Sequence, residues 1–218
     1  TIRTATLDEL AADHDAMLRL RGASLGDVQD IVVSSVVPSL TTAYRDLAQR
    51  YLDGPALVVG PGVRTGMPIA IDNPHEVGAD RIVNSVAAHR MFGTACIVVD
   101  FGTATNFDCV SAAGEYMGGA IAPGIEISLE ALAARAARLL RIELVDPGVA
   151  IGRSTVGALQ SGVLYGSVAM VDGLVRRLKA ELDPAAMVVA TGGLAGLIVP
   201  LSEQIEEHEP TLTLEGLR

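Results

Sequence analysis

Residues 96–110, C-I-V-V-D-F-G-T-A-T-N-F-D-C-V, constrain the fold of this chain more than any other stretch. Cys96 to Val99 is a short apolar, β-branched run, the pattern of a strand buried on both faces. It leads into Asp100, Gly102 and Thr103, after which apolar and polar residues alternate through Phe107 to Val110. The pattern predicts a hairpin with an acid at its turn. A carboxylate there can hold a cation, Gly102 lets the backbone approach a ligand, and the hydroxyls of Thr103 and Thr105 can bond phosphate oxygens. The same residue types also build an ordinary glycine turn whose Asp bonds its own backbone. By itself the stretch leaves both readings open.

Composition narrows the partners. The chain has 218 residues, enough for one large or two small domains with a sizeable core. Half the residues are hydrophobic but only 3% are aromatic, so the core is expected to be aliphatic. The formal charge of −10, with no basic block, argues against nucleic acid and against an anionic membrane surface. Both cysteines lie in or beside one apolar stretch, which suits a reduced, cytoplasmic protein better than a disulfide scaffold. No apolar run reaches membrane-spanning length and no signal peptide opens the chain. Lys179 is the only lysine, so no Gly-Lys-Ser/Thr phosphate loop exists. His14, His75, His89 and His208 are scattered, without the spacing of metal ligands.

Along the chain, Thr6 and Glu9 have capping-box spacing ahead of a helix carrying Leu7, Leu10, Ala11, Met17 and Leu18, stopped by Gly22. I-V-V-S-S-V-V-P (31–38) reads as a buried strand, with Ser34 and Ser35 either packed or facing a cleft. A helix is expected from about Thr41 to Tyr51, then a short strand at 56–59 and a long irregular run at 60–77 that includes Pro61 and Gly62. Gly78-Ala79-Asp80-Arg81 opens the next helix. Asp80 there either offsets the helix dipole or accepts a proton from an alcohol. After the hairpin, Y-M-G-G-A-I-A-P-G (116–124) leads into a helix from Ser128 to about Leu140, with Arg135, Arg138 and Arg141 on a solvated face. Ser154 or Thr155 caps a long helix ending at Leu182. Its Gly157, Gly162 and Gly166 suggest close approach of another helix, across a subunit interface or within the chain. A strand at 187–191 runs into T-G-G (191–193), where glycine can admit a nucleotide. The tail is acidic and then, at T-L-T-L (211–214), strand-like.

Strands and helices alternate in two blocks, 1–94 and 95–218, predicting an α/β chain of two lobes with a cleft between them. The order strand, acidic turn, strand, strand, helix resembles the ribonuclease-H-like unit of the actin-like ATPase and sugar-kinase superfamily. V-V-D-F-G-T-A-T (98–105), D-N-P-H-E-V-G-A-D-R (72–81), S-S-V-V-P (34–38), G-G-A-I-A-P-G (118–124), A-T-G-G-L-A (190–195) and L-T-L-E-G-L (212–217) together resemble the type III pantothenate kinases. That resemblance implies ATP-dependent phosphorylation of pantothenate to 4′-phosphopantothenate, the first step toward coenzyme A, by a cytoplasmic homodimer. It implies Asp80 as the base for the pantothenate hydroxyl, and Gly78, Ala79, Arg81 and Thr155 as further substrate contacts. It implies Thr103 as an ATP contact and Asp100 as ligand of a monovalent cation, K⁺ or NH₄⁺, beside Mg²⁺ and ATP. Two departures accompany it. The family's N-terminal strand and Asp-x-Gly-Asn-Thr phosphate loop are absent from the sequence, so the first lobe reads as truncated. Ile71 stands where many members carry Tyr. The alternatives are a non-catalytic regulatory or binding relative, and a kinase for another small alcohol.

Overall fold

The computed structural model describes residues 5–52, 54–60, 63–135 and 142–218. The described chain divides into two compact units, one made of the chain up to Thr65 with Asn73–Val83 and Leu217–Arg218, the other of Gly66–Asp72 and Asn84–Gly216.

In the first unit, helix α1 (Leu7–Arg19) starts where the sequence says it should. Thr6 Oγ1 accepts from the Glu9 amide and Glu9 Oε2 accepts from the Thr6 amide, at 3.3 and 2.8 Å, a reciprocal cap for two otherwise orphan donors. Only Leu10 and Ala11 are buried on α1, and Met17, expected inward, is 69% exposed. Strand β1 (Ile31–Val33) pairs in parallel with β2 (Ala56–Val58), Val32 opposite Leu57. The intervening helix α2 (Pro38–Tyr51) begins three residues earlier than expected. Pro38 occupies its first turn, where a missing N–H costs nothing and the fixed φ is already helical. Leu10, Ala11, Leu40 and Leu47 form the local core, with Tyr44 packed on it. Helix α3 (Ala79–Phe92) has its residues to Val83 in this unit, where Val83 packs with Val59, Ala79 and Leu217.

The second unit holds a five-stranded sheet. Strands β3 (Cys96–Phe101), β4 (Ala104–Val110) and β5 (Tyr116–Pro123) form an antiparallel meander, so the hairpin read from the sequence is present, with Phe101 opposite Thr105. Helix α4 (Ile125–Arg135) and helix α5 (Thr155–Leu182) follow, then β6 (Met187–Thr191) parallel to β3. Helix α6 (Ala195–Ile198), the two-residue β7 (Glu207–His208) parallel to β6, and helix α7 (Leu212–Leu217) complete it, giving strand order β5-β4-β3-β6-β7. Helix α4 starts earlier than expected. Arg135 ends it exposed, while Arg138, Arg141 and the expected end near Leu140 lie outside the described residues, as do Pro61 and Gly62.

Ile97, Val99 and Phe101 of β3, with Phe107 and Cys109 of β4, face Leu164, Val168, Val171 and Val175 of α5. That spacing of four, three and four residues is the buried stripe of an amphipathic helix. The 28-residue α5 also has the length and mean hydropathy of a membrane span, against the sequence expectation, yet its apolar stripe is covered by the sheet. Register sets Cys96 opposite Val110 and Cys109 opposite Ile97, which turns the two thiols to opposite faces, and no disulfide joins them. Burial pushes the Cys96 thiol up to about 12, with the Cys109 charge adding to it. The tail at 212–217 is helical rather than a strand. Lys179 is ion-paired to Glu206 at 2.8 Å.

Candidate active site

Strand β3 ends in the acid singled out by the sequence. Asp100 is half-buried, while Gly102 and Thr103 are exposed at the turn. The turn is tight, the Gly102 amide donating to the Ala104 carbonyl at 3.0 Å. Two glycines from elsewhere close on it. A Cβ on Gly192, at φ +94° just past β6, would lie 2.6 Å from Asp100 Oδ1 and 2.7 Å from Phe101 backbone atoms. A Cβ on Gly124, between β5 and α4, would lie 2.1 Å from the Thr103 carbonyl oxygen. Neither position admits a side chain, so the acidic turn is seated against bare backbone on two sides.

The Asp100 carboxylate is also engaged from helix α3. Asn84 Nδ2 donates to Asp100 Oδ2 at 3.2 Å, and Asn84 Oδ1 accepts from Thr213 Oγ1 at 2.7 Å. Sequence reasoning missed both residues. The available signal was the Asn84-Ser85 pair breaking an otherwise apolar face of α3. Thr213 gave none, because it lies 129 residues away along the chain.

The donors present are those a hard cation takes. Asp100 and the Thr103 hydroxyl offer hard oxygens, and no cluster of three His, Cys, Asp or Glu side chains occurs among the described residues. A divalent ion that keeps its waters and arrives on nucleotide phosphates needs no such cage.

In the first unit, Gly78, Ala79, Asp80 and Arg81 come together at the start of α3. Asp80 Oδ1 accepts from the Arg81 amide at 2.9 Å, and a Cβ on Gly78 would lie 2.5 Å from that same oxygen. Gly78 therefore makes room for the half-buried Asp80 carboxylate. In the same unit, the Ser35 hydroxyl bonds the backbone of Val37, while Ser34 Oγ is buried without a hydrogen-bond partner among the described residues.

Thr155, in the second unit, is exposed as the first residue of α5. Ser154 is the cap, its Oγ accepting from the Gly157 amide at 3.1 Å. A concavity of about 820 Å³ adjoins it, lined by Pro147, Val149, Ile151, Arg153, Val156 and Gln160 among others. Ile71 lies over β5, where a Cβ on Gly118 would be 3.4 Å from its Cγ2.

Comparison with known proteins gives one consistent result. The family model described as type III pantothenate kinase matches residues 1–177. A type III pantothenate kinase of Moorella thermoacetica is 51% identical over 216 residues, 99% of this chain and 85% of that protein. That of Frankia casuarinae is 54% identical over 217 residues, covering 98% of this chain and 84% of that protein. Among solved structures, a Campylobacter jejuni protein named for the Baf family of transcriptional activators superposes with a TM-score of 0.59 at 19% identity. It covers 87% of this chain and 80% of that one, a likeness of fold.

Proposed function

Because the chain belongs to the type III pantothenate kinase family, we propose a reading of its residues in the reaction it carries out. That reaction is ATP-dependent phosphorylation of pantothenate to 4′-phosphopantothenate, the first step of coenzyme A biosynthesis. The observation that carries the reading is the exposed Gly102–Thr103 turn with a carboxylate at its root and Gly124 and Gly192 pressed bare against it. Backbone this open, with an anchored acid and a hydroxyl, suits a triphosphate and its counter-ions.

Asp80 is the base. As the pantothenate hydroxyl oxygen bonds to the γ-phosphorus and the bond from that phosphorus to the β,γ-bridging oxygen breaks, the hydroxyl proton passes to the Asp80 carboxylate and ADP leaves. The Arg81 amide bonded to Asp80 Oδ1 supports this role by orienting the acceptor. Gly78, Ala79, Arg81 and Thr155 contact pantothenate, and Thr103 contacts ATP. Asp100 ligates K⁺ or NH₄⁺. When bound, that ion and Mg²⁺ neutralise phosphate charge, a contribution that a chain of charge −10 with one lysine must import.

Two ribonuclease-H-like lobes, 1–94 and 95–218, form the larger frame of this reading. An antiparallel β3-β4-β5 meander with β6 parallel to β3 supports it for the second lobe. The protein works in the cytoplasm as a homodimer. In support of the dimer, Ile151 is 82% exposed beside Val149 and Val156, and nothing lies within 4 Å of a Cβ placed on Gly162 or Gly166.

The test is transfer from ATP to pantothenate by the full-length protein with Mg²⁺ and K⁺, alongside Asp80→Asn. Loss of the base lowers kcat by about 10²–10⁴-fold with pantothenate still bound. Undiminished turnover in the variant removes Asp80 from the mechanism.

A further inference from the structure

Asn84 is 1% exposed on a helix whose neighbouring inward residues, Val83, Ala87 and Ala88, are apolar. An amide so buried is tolerated only where its donors and acceptor are met. Here both partners are side chains from distant parts of the second unit, Asp100 on β3 and Thr213 on α7. The orientation of the amide follows from chemistry. An ionised carboxylate only accepts, so Nδ2 must face Asp100 and Oδ1 must face the threonine hydroxyl, which can donate. Flipping the amide would set oxygen against carboxylate and lose the bond to Asp100, while the threonine hydroxyl would turn from donor to acceptor. Thr213 therefore locks Asn84, and Asn84 in turn engages one oxygen of Asp100.

The other oxygen is bounded as well. Gly192 passes so close to Asp100 Oδ1 that a methyl group in its place would sit at 2.6 Å. Helix α3 on one side and the end of β6 on the other leave the Asp100 carboxylate little freedom to rotate.

We propose that Asn84, locked by Thr213, is a positioning residue that fixes the Asp100 carboxylate in the direction from which it holds the monovalent cation. The proposal rests on the reading of Asp100 given above. A monovalent ion is held weakly and is readily lost to water, so its site depends strongly on an acceptor already fixed in place.

The experiment compares wild type, Asn84→Ala and Thr213→Val as full-length proteins. Two quantities are read for each. One is the K⁺ concentration giving half-maximal turnover. The other is the rise in melting temperature caused by KCl over tetramethylammonium chloride at equal ionic strength, with ADP and Mg²⁺ present. Loss of a hydrogen bond to a charged group predicts that Asn84→Ala raises the half-activating K⁺ about tenfold, with the KM for pantothenate unchanged within about twofold and a smaller K⁺-specific rise in melting temperature. Thr213→Val, nearly isosteric, shifts both readouts in the same direction by a smaller factor, and serves alone if Asn84→Ala does not fold. Folded variants that melt earlier but respond to K⁺ as wild type does would reduce Asn84 to a packing residue and overturn the proposal. A wild-type protein indifferent to K⁺ would instead overturn the reading of Asp100 itself, and the two failures are told apart by which protein shows them.

Discussion

Gly192 and Cys96 show how single atoms decide matters around strand β3. Gly192 sits at φ +94°, and a side chain there would collide with both Asp100 and the Phe101 backbone. Gly192→Ala is expected to cost at least about 2 kcal/mol of stability, from left-handed strain and displacement of β3 together. Chemical denaturation measures it, and an unaltered midpoint would contradict the packing described. Cys96 makes a different prediction. Its folded thiol titrates near 12 rather than at the ordinary 9.0, so the neutral form is favoured by folding. The sign follows directly. This contribution to stability is whole below about pH 9, and drains away as pH rises toward about 12, because the unfolded chain loses the proton first. Wild type should therefore lose stability more steeply across that window than Cys96→Val, measured by denaturant titration at each pH. Parallel slopes for the two proteins would sink the argument.

The elements differ in how openly the sequence announces them, and the reason is the range of the forces involved. Helix α1 rests on a cap three residues long. Thr6→Ala should destabilise the protein by about 1 kcal/mol, read from the denaturation midpoint, with Thr6→Ser largely sparing it. Strand β3 was legible because burial on both faces writes an apolar run, and β4 because apolar and polar residues alternate along it. Helix α7 was not, since T-L-T-L alternates with period two and the helix is only six residues long. Its turns are fixed by contacts instead, among them the Thr213 bond to Asn84. Strand β5 depends on a partner that no local pattern foretells. Tyr116 is 1% exposed and its hydroxyl donates to Asp108 Oδ1 at 2.7 Å, while its backbone bonds Pro68 and Ala70. Tyr116→Phe removes a buried hydrogen bond and should cost about 1–3 kcal/mol, with hydrogen exchange quickening first at Ala70 and along β5. Uniform exchange across the sheet would mean that the bond serves no local role.

For the molecule as a whole, composition and motif order gave the α/β class and the family, whereas the polar contacts that organise the acidic turn required coordinates. Asp100, Gly102 and Thr103 are consecutive enough to be recognised. Asn84 becomes a partner of Asp100, and Thr213 of Asn84, only in the folded chain. Glycines 162 and 166 sharpen the prediction about assembly. A homodimer should sediment at twice the 22.6 kDa chain mass, and Ile151→Asp, which places charge on an exposed apolar residue, should shift it toward the single-chain value. A wild-type protein sedimenting as a single chain would remove the dimer from the proposed function.

The pairing of Lys179 with Glu206 has a practical outcome of its own. Within residues 1–218, an amine-seeking dye aimed at lysine has one address, on the seam joining α5 to β7, and the ammonium there is held at 2.8 Å with its side chain 19% exposed. Its labelling rate therefore works as a latch sensor. Slow uptake reports the seam shut, and a burst of uptake during heating marks the temperature at which the pair comes apart.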